Sequence, residues 1–359
     1  MNDTLITLFT PSFADEENTN AQNLTAKEIV ARLPPDQFRV VMICGQNPDP
    51  RLARRKNTHF VRWTAHGNTL RLFREFFRLP PDIYFFPRFG PFDRAFLNLR
   101  RFLPIRTRLV TYVVMMMNET TAAGLPDRTI READRVCSNS AFVADTVRRR
   151  FGLSSQTIHD GVDRRFFFPS SARESAHRLT VLYAGSFQAR KRVELVVEQA
   201  ARWPGVHFRL AGQGETAEHC RALSRQYACQ NISFLGHLSQ VQLGEEMRKA
   251  DVFLFPSILE GHPQVLIQAA ACGLPAVAMN FYRPDSVVDG QTGFLVHSDG
   301  EMAERFDRLL WDQALRKLFS EAAVKHADAF DWDRIAQQWI EVFQTPVHDS
   351  GVVRRACAA

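Results

Sequence analysis

Five short apolar runs recur between residues 179 and 279: LTVLYAG (179–185), VHFRLAG (206–212), ISFLG (232–236), VFLFPS (252–257) and PAVAM (275–279). Runs so short and so uniformly apolar suit strands buried on both faces. Between them the apolar spacing turns helical. Val193, Val196, Val197 and Ala200 share one face of a helix predicted over 193–202, and a second is predicted over 215–228. Ser239-x-x-Gln242 is a capping-box start for a third, and Pro263 opens a fourth. Strands and helices alternating through short links predict a parallel, doubly wound α/β sheet.

The first half repeats this logic more faintly. LITLF (5–9), FRVVMI (38–43), DIYFF (82–86), LVTYVVMM (109–116) and RVCSNS (135–140) read as strands, with helices predicted over 21–33 and from 141 to about 151. A length of 359 residues suits two domains. The composition changes at 164–178, where Pro169 and three serines fall, so the linker is placed there. This sets an N-terminal domain at 1–165 and a C-terminal domain at 178–330, with a terminal helix at 331–345. The six cysteines form no CxxC pair, which fits a reducing compartment. No secretory leader is visible, and the longest apolar run is well short of the roughly 20 residues a bilayer span needs. A cytoplasmic protein is expected.

Charge is unevenly spread. Up to Ser170 there are 25 Lys+Arg and 17 Asp+Glu, a net +8; the remaining 45 − 25 = 20 basic and 39 − 17 = 22 acidic residues give −2. An arginine-rich N-terminal half favours an anionic partner or is a solvated surface. TLRLFREFFRL (69–79) places Leu70, Phe73, Phe76 and Phe77 on one helical side and Arg71, Arg74 and Arg78 on the other, and FLNLRRFLPIRTR (96–108) mixes the same residue types. Such helices either lie on an anionic bilayer or pack on their own sheet with arginines in solvent. A lipid-linked or otherwise anionic acceptor would suit peripheral contact at the inner face of a membrane. No nucleic-acid-binding motif accompanies the charge.

The chemistry concentrates in PSILEGHPQVLIQAAACGLPAVAM (256–279). A strand ends, Glu260-Gly261 turns, and Pro263 occupies the first helical position, where its missing N–H is not needed. The amides of Gly261, His262, Gln264 and Val265 then crowd one helix end, a site suited to a diphosphate. Gln264 and Gln268 share a helix face. Glu260 sits beside the amides, placed to accept bonds from sugar hydroxyls. The plain alternative is a helix cap that closes a strand–helix turn.

This segment resembles the signature of glycosyltransferase family 4, a large retaining group with the GT-B fold, which shows an E-x7-E pattern running into A-C-G-x-P. Glu260 matches the first acid and Cys272-Gly273-Leu274-Pro275 the tail, while Gln268 stands at the second acid. ADRVCSNSAFVADTVRRRFG with TIHDGVDRRFFFP, SVVDGQTGFLV and FDWDRIAQQWIEVF resemble further stretches of the family in the same order, over most of 133–343. The resemblance implies two Rossmann-like, doubly wound parallel-sheet domains facing a central cleft. It also implies a nucleoside-diphosphate sugar in the second domain, an acceptor on the first and a terminal helix that crosses back.

The resemblance assigns roles residue by residue. GSFQARKR (185–192) stands where the family supplies an Arg and a Lys to the donor diphosphate. Lys191 matches the lysine; Ser186 replaces the arginine, leaving Arg190 or Arg192 to carry that charge. His237 and Leu238 fall where the family lays its nucleotide base, and Gly212 opens a tight turn near the donor. The first domain lacks the family's Gly-rich loop and its histidine, so Asn118 or Glu119 stands at that place. Glu260 and Lys191 are the expected catalytic pair. Donor contacts are expected from Ser186, Arg190, Arg192, Gly212, His237, Leu238, Gly261, His262, Gln264, Val265 and Gln268.

No metal or other cofactor is expected: Asp331-Trp332-Asp333, the one D-x-D, opens a helix and reads as a cap. The sequence leaves sugar, base and acceptor unnamed. Two alternatives stand beside the transferase. One is a non-catalytic relative that binds sugars or a partner. The other is a nicotinamide-dependent oxidoreductase built on the G-x-G-x-x-A of 212–217, although that motif follows the second strand of its domain instead of the first.

Overall fold

In the computed structural model, which describes residues 5–17, 20–64, 66–87, 90–103, 105–115, 125–170 and 178–346, the apolar runs become parallel strands. Chain contacts divide these residues into two units. The first takes the described parts of Met1–Ser138, Ala144–Ile158 and Ile335–Ala359; the second is Asn139–Val143 with His159–Arg334. The boundary therefore falls at residue 158/159, ahead of the compositional change. Phe167, in the stretch read as a linker, is buried in the core of the second unit, as is Val162 just ahead of it. Residues 171–177 of that stretch lie outside the described residues.

The first unit runs β1 (Ile6–Phe13), α1 (Ala21–Arg32), β2 (Phe38–Cys44), α2 (Pro50–Arg54), β3 (Thr58–Arg62), α3 (Asn68–Arg78), β4 (Ile83–Phe85), α4 (Pro91–Phe102), β5 (Arg108–Val113), α5 (Leu125–Arg131), β6 (Arg135–Ser138), α6 (Ala141–Phe151) from Ala144 onward and β7 (Gln156–Thr157). All its strands pair in parallel, in the order β3-β2-β1-β4-β5-β6-β7. One core holds Phe9, Phe76, Tyr84, Phe92 and Phe96, with Tyr84 and Phe96 edge to face at 4.9 Å. Elsewhere in the same unit the last helix contributes Trp339 and Phe343, which meet Phe85 at 4.8 and 5.1 Å.

The second unit runs β8 (Thr180–Ala184), a 3-10 turn (Ala189–Lys191), α7 (Glu194–Arg202), β9 (His207–Ala211), α8 (Ala217–Gln226), β10 (Ile232–Gly236), α9 (Gln240–Lys249), β11 (Val252–Phe255), α10 (Gln264–Ala271), β12 (Ala276–Met279), β13 (Gly293–Val296), α11 (Asp299–Trp311), α12 (Gln313–Ala327), a second 3-10 turn (Asp328–Phe330) and the start of α13 (Trp332–Gln344). Its parallel order is β10-β9-β8-β11-β12-β13. The predicted capping box forms: Ser239 Oγ accepts the Gln242 amide and Gln242 Oε1 accepts the Ser239 amide. The Asp331 carboxylate accepts the Asp333 amide at the head of α13. Strands β3, β7 and β13 were not foreseen; β3 and β7 are edge strands, and β13 sits in a stretch read only as a turn.

Two expectations are corrected. Pro263 is not the first helical residue: it caps α10 with extended dihedrals (φ −68°, ψ 108°), and the ladder starts at Gln264. On α3 the apolar side divides. Leu72 and Phe76 turn inward, whereas Leu70 and Phe77 are 78% and 57% exposed. The residues are all apolar, but at about 100° per residue Leu70 and Phe77 fall on the arginine side of the wheel.

Candidate functional site

In both sheets the strand order reverses beside the first strand, and in open α/β sheets ligands bind outside the carboxyl ends of the strands at that reversal. In the second unit the reversal lies between β8 and β11. Residues 185–192 leave β8 there and residues 256–263 leave β11, so two segments about 70 positions apart in sequence meet. The Ile258 amide donates to the Arg190 carbonyl at 3.0 Å.

Glu260 collects the meeting. Its Oε1 receives Lys191 Nζ at 2.5 Å, Arg190 Nη1 at 2.7 Å and Ser257 Oγ at 2.5 Å. Arg190 Nη1 also donates to the Leu259 carbonyl at 2.7 Å. Lys191 is buried, with Nζ 4.9 Å from the centroid of the Phe255 ring. Burial pushes its ammonium pKa below the ordinary lysine value, and the Glu260 carboxylate opposes that shift without cancelling it. Arg192 is directed elsewhere, pairing with Asp299 at the start of α11 from a left-handed backbone (φ 51°). Of the two arginines left open by the sequence, Arg190 is the one beside Glu260.

Glycines weave the strand ends together. A Cβ on Gly212 would lie 1.8 Å from the Gly185 carbonyl oxygen, and one on Gly214 would lie 2.3 Å from the Phe187 carbonyl oxygen. The amide of Gly185 donates to Ala211 O, and that of Gly212 to Gly236 O. The glycines of 212–217 are thus accounted for by close backbone approach between the β8 and β9 exits. Ser186 lies in that weave, its carbonyl accepting the Tyr183 hydroxyl at 3.1 Å.

The remaining predicted residues are placed as follows. Gly261 and His262 are buried, Gln264 and Val265 are half-buried at the start of α10, and Gln268 is buried one turn on. The amides of Gly261 and His262 precede the first helical hydrogen bond of α10. The His262 side chain turns inward, so only its backbone is available to a ligand. Its Nδ1 accepts the Asp160 amide at 3.3 Å, which leaves the proton on Nε2, a buried atom without a partner. Burial, then the neighbouring His159 and His326, drive its pKa well below the ordinary histidine value. The rings of His159 and Phe330 pack on it at 4.9 and 5.4 Å. His237 is exposed and Leu238 half-buried after β10. Asn118 and Glu119 lie outside the described residues.

Sequence reading missed two neighbours of Glu260. Ser257 was passed over as the end of a strand. Tyr282, on the loop after β12, has a fully buried hydroxyl without a partner, and burial and the Glu260 charge raise its pKa. In the first unit Asp15 lies in the glycine-free stretch that follows β1. Its carboxylate accepts the amides of Gly45, Gln46 and Asn47 at 2.8–3.3 Å and joins the exits of β1 and β2. Among the described residues no group of three or more His, Cys, Asp or Glu could hold a metal ion, and no helix is long and apolar enough to cross a membrane.

Residues 165–326 match the family model described as Glycosyl transferases group 1. Over 245 residues the chain is 28% identical to a D-inositol 3-phosphate glycosyltransferase of Streptomyces bingchenggensis, and over 239 residues 30% identical to one of Mycobacteroides abscessus. These alignments cover 60% and 61% of this chain and 54% of each relative, so the chain matches about half the length of these curated relatives. Among solved structures it resembles the sucrose-phosphate synthase of Thermosynechococcus elongatus (TM-score 0.78, 18% identity, 95% of this chain and 98% of that one). It also resembles Anabaena Alr3699/HepE in complex with UDP and glucose (TM-score 0.76, 16% identity, 96% and 100%). With its two parallel-sheet units, the chain has a GT-B fold.

Proposed function

We propose that the protein is a group 1 glycosyltransferase that moves a sugar from a nucleoside-diphosphate donor bound on the second unit. The observation that carries this reading is the convergence of Lys191 and Arg190 on Glu260 at the strand-order reversal. A departing nucleoside diphosphate gains negative charge; two fixed cations and the amides at the head of α10 lower that barrier. Arg190 supplies the charge that Ser186 lacks. Glu260 orients the sugar, and Gln268 offers a neutral amide to hydroxyls of the donor. Transfer proceeds with retention of configuration and without a metal or other cofactor, the departing phosphate taking the acceptor's proton. The acceptor is anionic, free or lipid-linked, which suits the +8 excess before residue 171.

UDP is the first probe, since a structural neighbour was solved with it. At hundredfold excess over its dissociation constant a ligand stabilises by about 2.7 kcal/mol, so UDP or a UDP-sugar raises the melting temperature by several degrees. Slow hydrolysis of the matching sugar nucleotide accompanies this. A panel of nucleoside diphosphates and their sugars that produces neither effect defeats the assignment.

We also infer peripheral contact with an anionic bilayer through α3. Leu70, Arg74 and Phe77 form one outward stripe, and the side chains of Arg74 and Arg78 are 74% and 59% exposed. Vesicles containing phosphatidylglycerol are expected to sediment the protein, and pure phosphatidylcholine vesicles are not. A Leu70→Ser, Phe77→Ser double variant binds about tenfold more weakly. Equal binding by the double variant refutes the contact.

A further inference from the structure

Resting on the transferase reading, we propose that Ser257 is a positioning residue that reserves one oxygen of Glu260 for the donor sugar. Ser257 is fully buried, two residues beyond β11, so its hydroxyl is held by the strand. It reaches the same oxygen as the two cations: Ser257 Oγ, Arg190 Nη1 and Lys191 Nζ all fall on Oε1, at 2.5, 2.7 and 2.5 Å. Oε2 makes none of these contacts. The Glu260 side chain keeps 9% of its surface, so it is enclosed but not sealed.

The three donors differ in what they specify. Coulomb attraction from an ammonium is nearly indifferent to which carboxylate oxygen it meets. A guanidinium prefers to take both in a fork. The terminal torsion of glutamate is broad and resists rotation only weakly. With the two cations alone, the carboxylate is free to turn so that Arg190 grips both oxygens, which draws Oε2 toward the guanidinium and away from the orientation a sugar hydroxyl needs. The Ser257 hydroxyl is directional and held on buried backbone just beyond β11, so it breaks that symmetry. Oε1 then belongs to the protein and Oε2 to the ligand, and the cations remain where a diphosphate meets them.

This separates two readouts that a packing role would move together. Nucleoside-diphosphate binding depends on Arg190 and Lys191; sugar orientation depends on Oε2. Ser257→Ala and Ser257→Cys, the latter keeping volume but offering only a weak donor, are expected to lower kcat for the sugar nucleotide by about 10- to 100-fold. Titration with UDP should give a Kd within about twofold of wild type for both. Ser257→Thr, which keeps the hydroxyl, restores kcat to within a few-fold.

Three results overturn the proposal. One is wild-type kcat in the alanine and cysteine variants. Another is a parallel loss of UDP affinity and melting temperature in both, which would mark Ser257 as packing alone. The third is a fold-competent threonine variant, judged by its melting temperature and UDP affinity, that is as slow as alanine. A wild-type protein that neither binds a nucleoside diphosphate nor consumes its sugar removes the transferase reading itself, and this inference with it.

Discussion

Lys191→Met lowers turnover of the sugar nucleotide by about 10²- to 10³-fold, the cost of removing one preorganised group from a developing charge. The fold survives, because Glu260 keeps Arg190 and Ser257 as partners. Stripping the last partner from a buried charge costs about 3–5 kcal/mol; here the loss is closer to 1–2 kcal/mol. The same lysine makes UDP affinity depend on pH. Its folded-state pKa is depressed by burial, so the ammonium is intact below that lowered value and lost as pH rises through it. UDP affinity therefore falls on the alkaline side. Glu260→Gln removes the carboxylate that opposes the depression, and the falling limb moves to lower pH. The methionine variant shows no such limb. Isothermal titration with UDP across pH in the three proteins checks all of this; identical profiles in wild type and Lys191→Met would show that Lys191 does not meet the diphosphate.

The centre of the second unit was legible because β8, β11 and β12 are buried on both faces. Val252–Phe255 and Ala276–Met279 leave no polar alternation to confuse them with surface strands, and the glycines at 185, 212 and 236 mark their exits. The edge strands β3 and β7 carry no such signature. Thr58–Arg62 has one buried residue, Val61, among half-buried and exposed ones, and Gln156–Thr157 is only two residues long. The α3 helix shows a different limit. Leu70, Phe73, Phe76 and Phe77 read as one apolar side, yet helical angle sets Leu70 and Phe77 on the outside, which residue type does not reveal.

The site was half visible for a related reason. Glu260 and Lys191 announce themselves through a turn and a basic loop flanking apolar runs, and the α/β alternation brings such strand exits to one edge. The choice between Arg190 and Arg192 was not visible. Arg190 lies inside a short 3-10 turn and Arg192 caps its end, where a left-handed conformation sends it to Asp299. Nor was His262 readable as an interior residue. A histidine beside a glycine turn suggests a ligand contact, whereas its ring is held by the Asp160 amide and the rings of His159 and Phe330.

Gly212→Ala is expected to be the most destabilising single-methyl change in the second unit, at about 3 kcal/mol or more. Two independent costs add. The residue sits at φ +141°, a region L side chains rarely adopt, and the new Cβ would lie 1.8 Å from the Gly185 carbonyl oxygen. That oxygen is backbone and cannot swing aside as a side chain would, so relief requires the β8 exit to move. The same exit leads to Arg190 and Lys191, so UDP affinity should fall along with the melting temperature. Gly300→Ala is the control. It lies exposed in the first turn of α11 with nothing within 4 Å of the added carbon, and alanine there should leave stability unchanged or raise it by about 0.5 kcal/mol. The pair also tests what the G-x-G is for. A glycine kept open for a dinucleotide would tolerate alanine in the fold and lose only cofactor affinity; a glycine kept for backbone packing loses the fold first. Chemical denaturation of the two variants decides between them, and a Gly212→Ala protein as stable as wild type would return the motif to the nucleotide-binding reading.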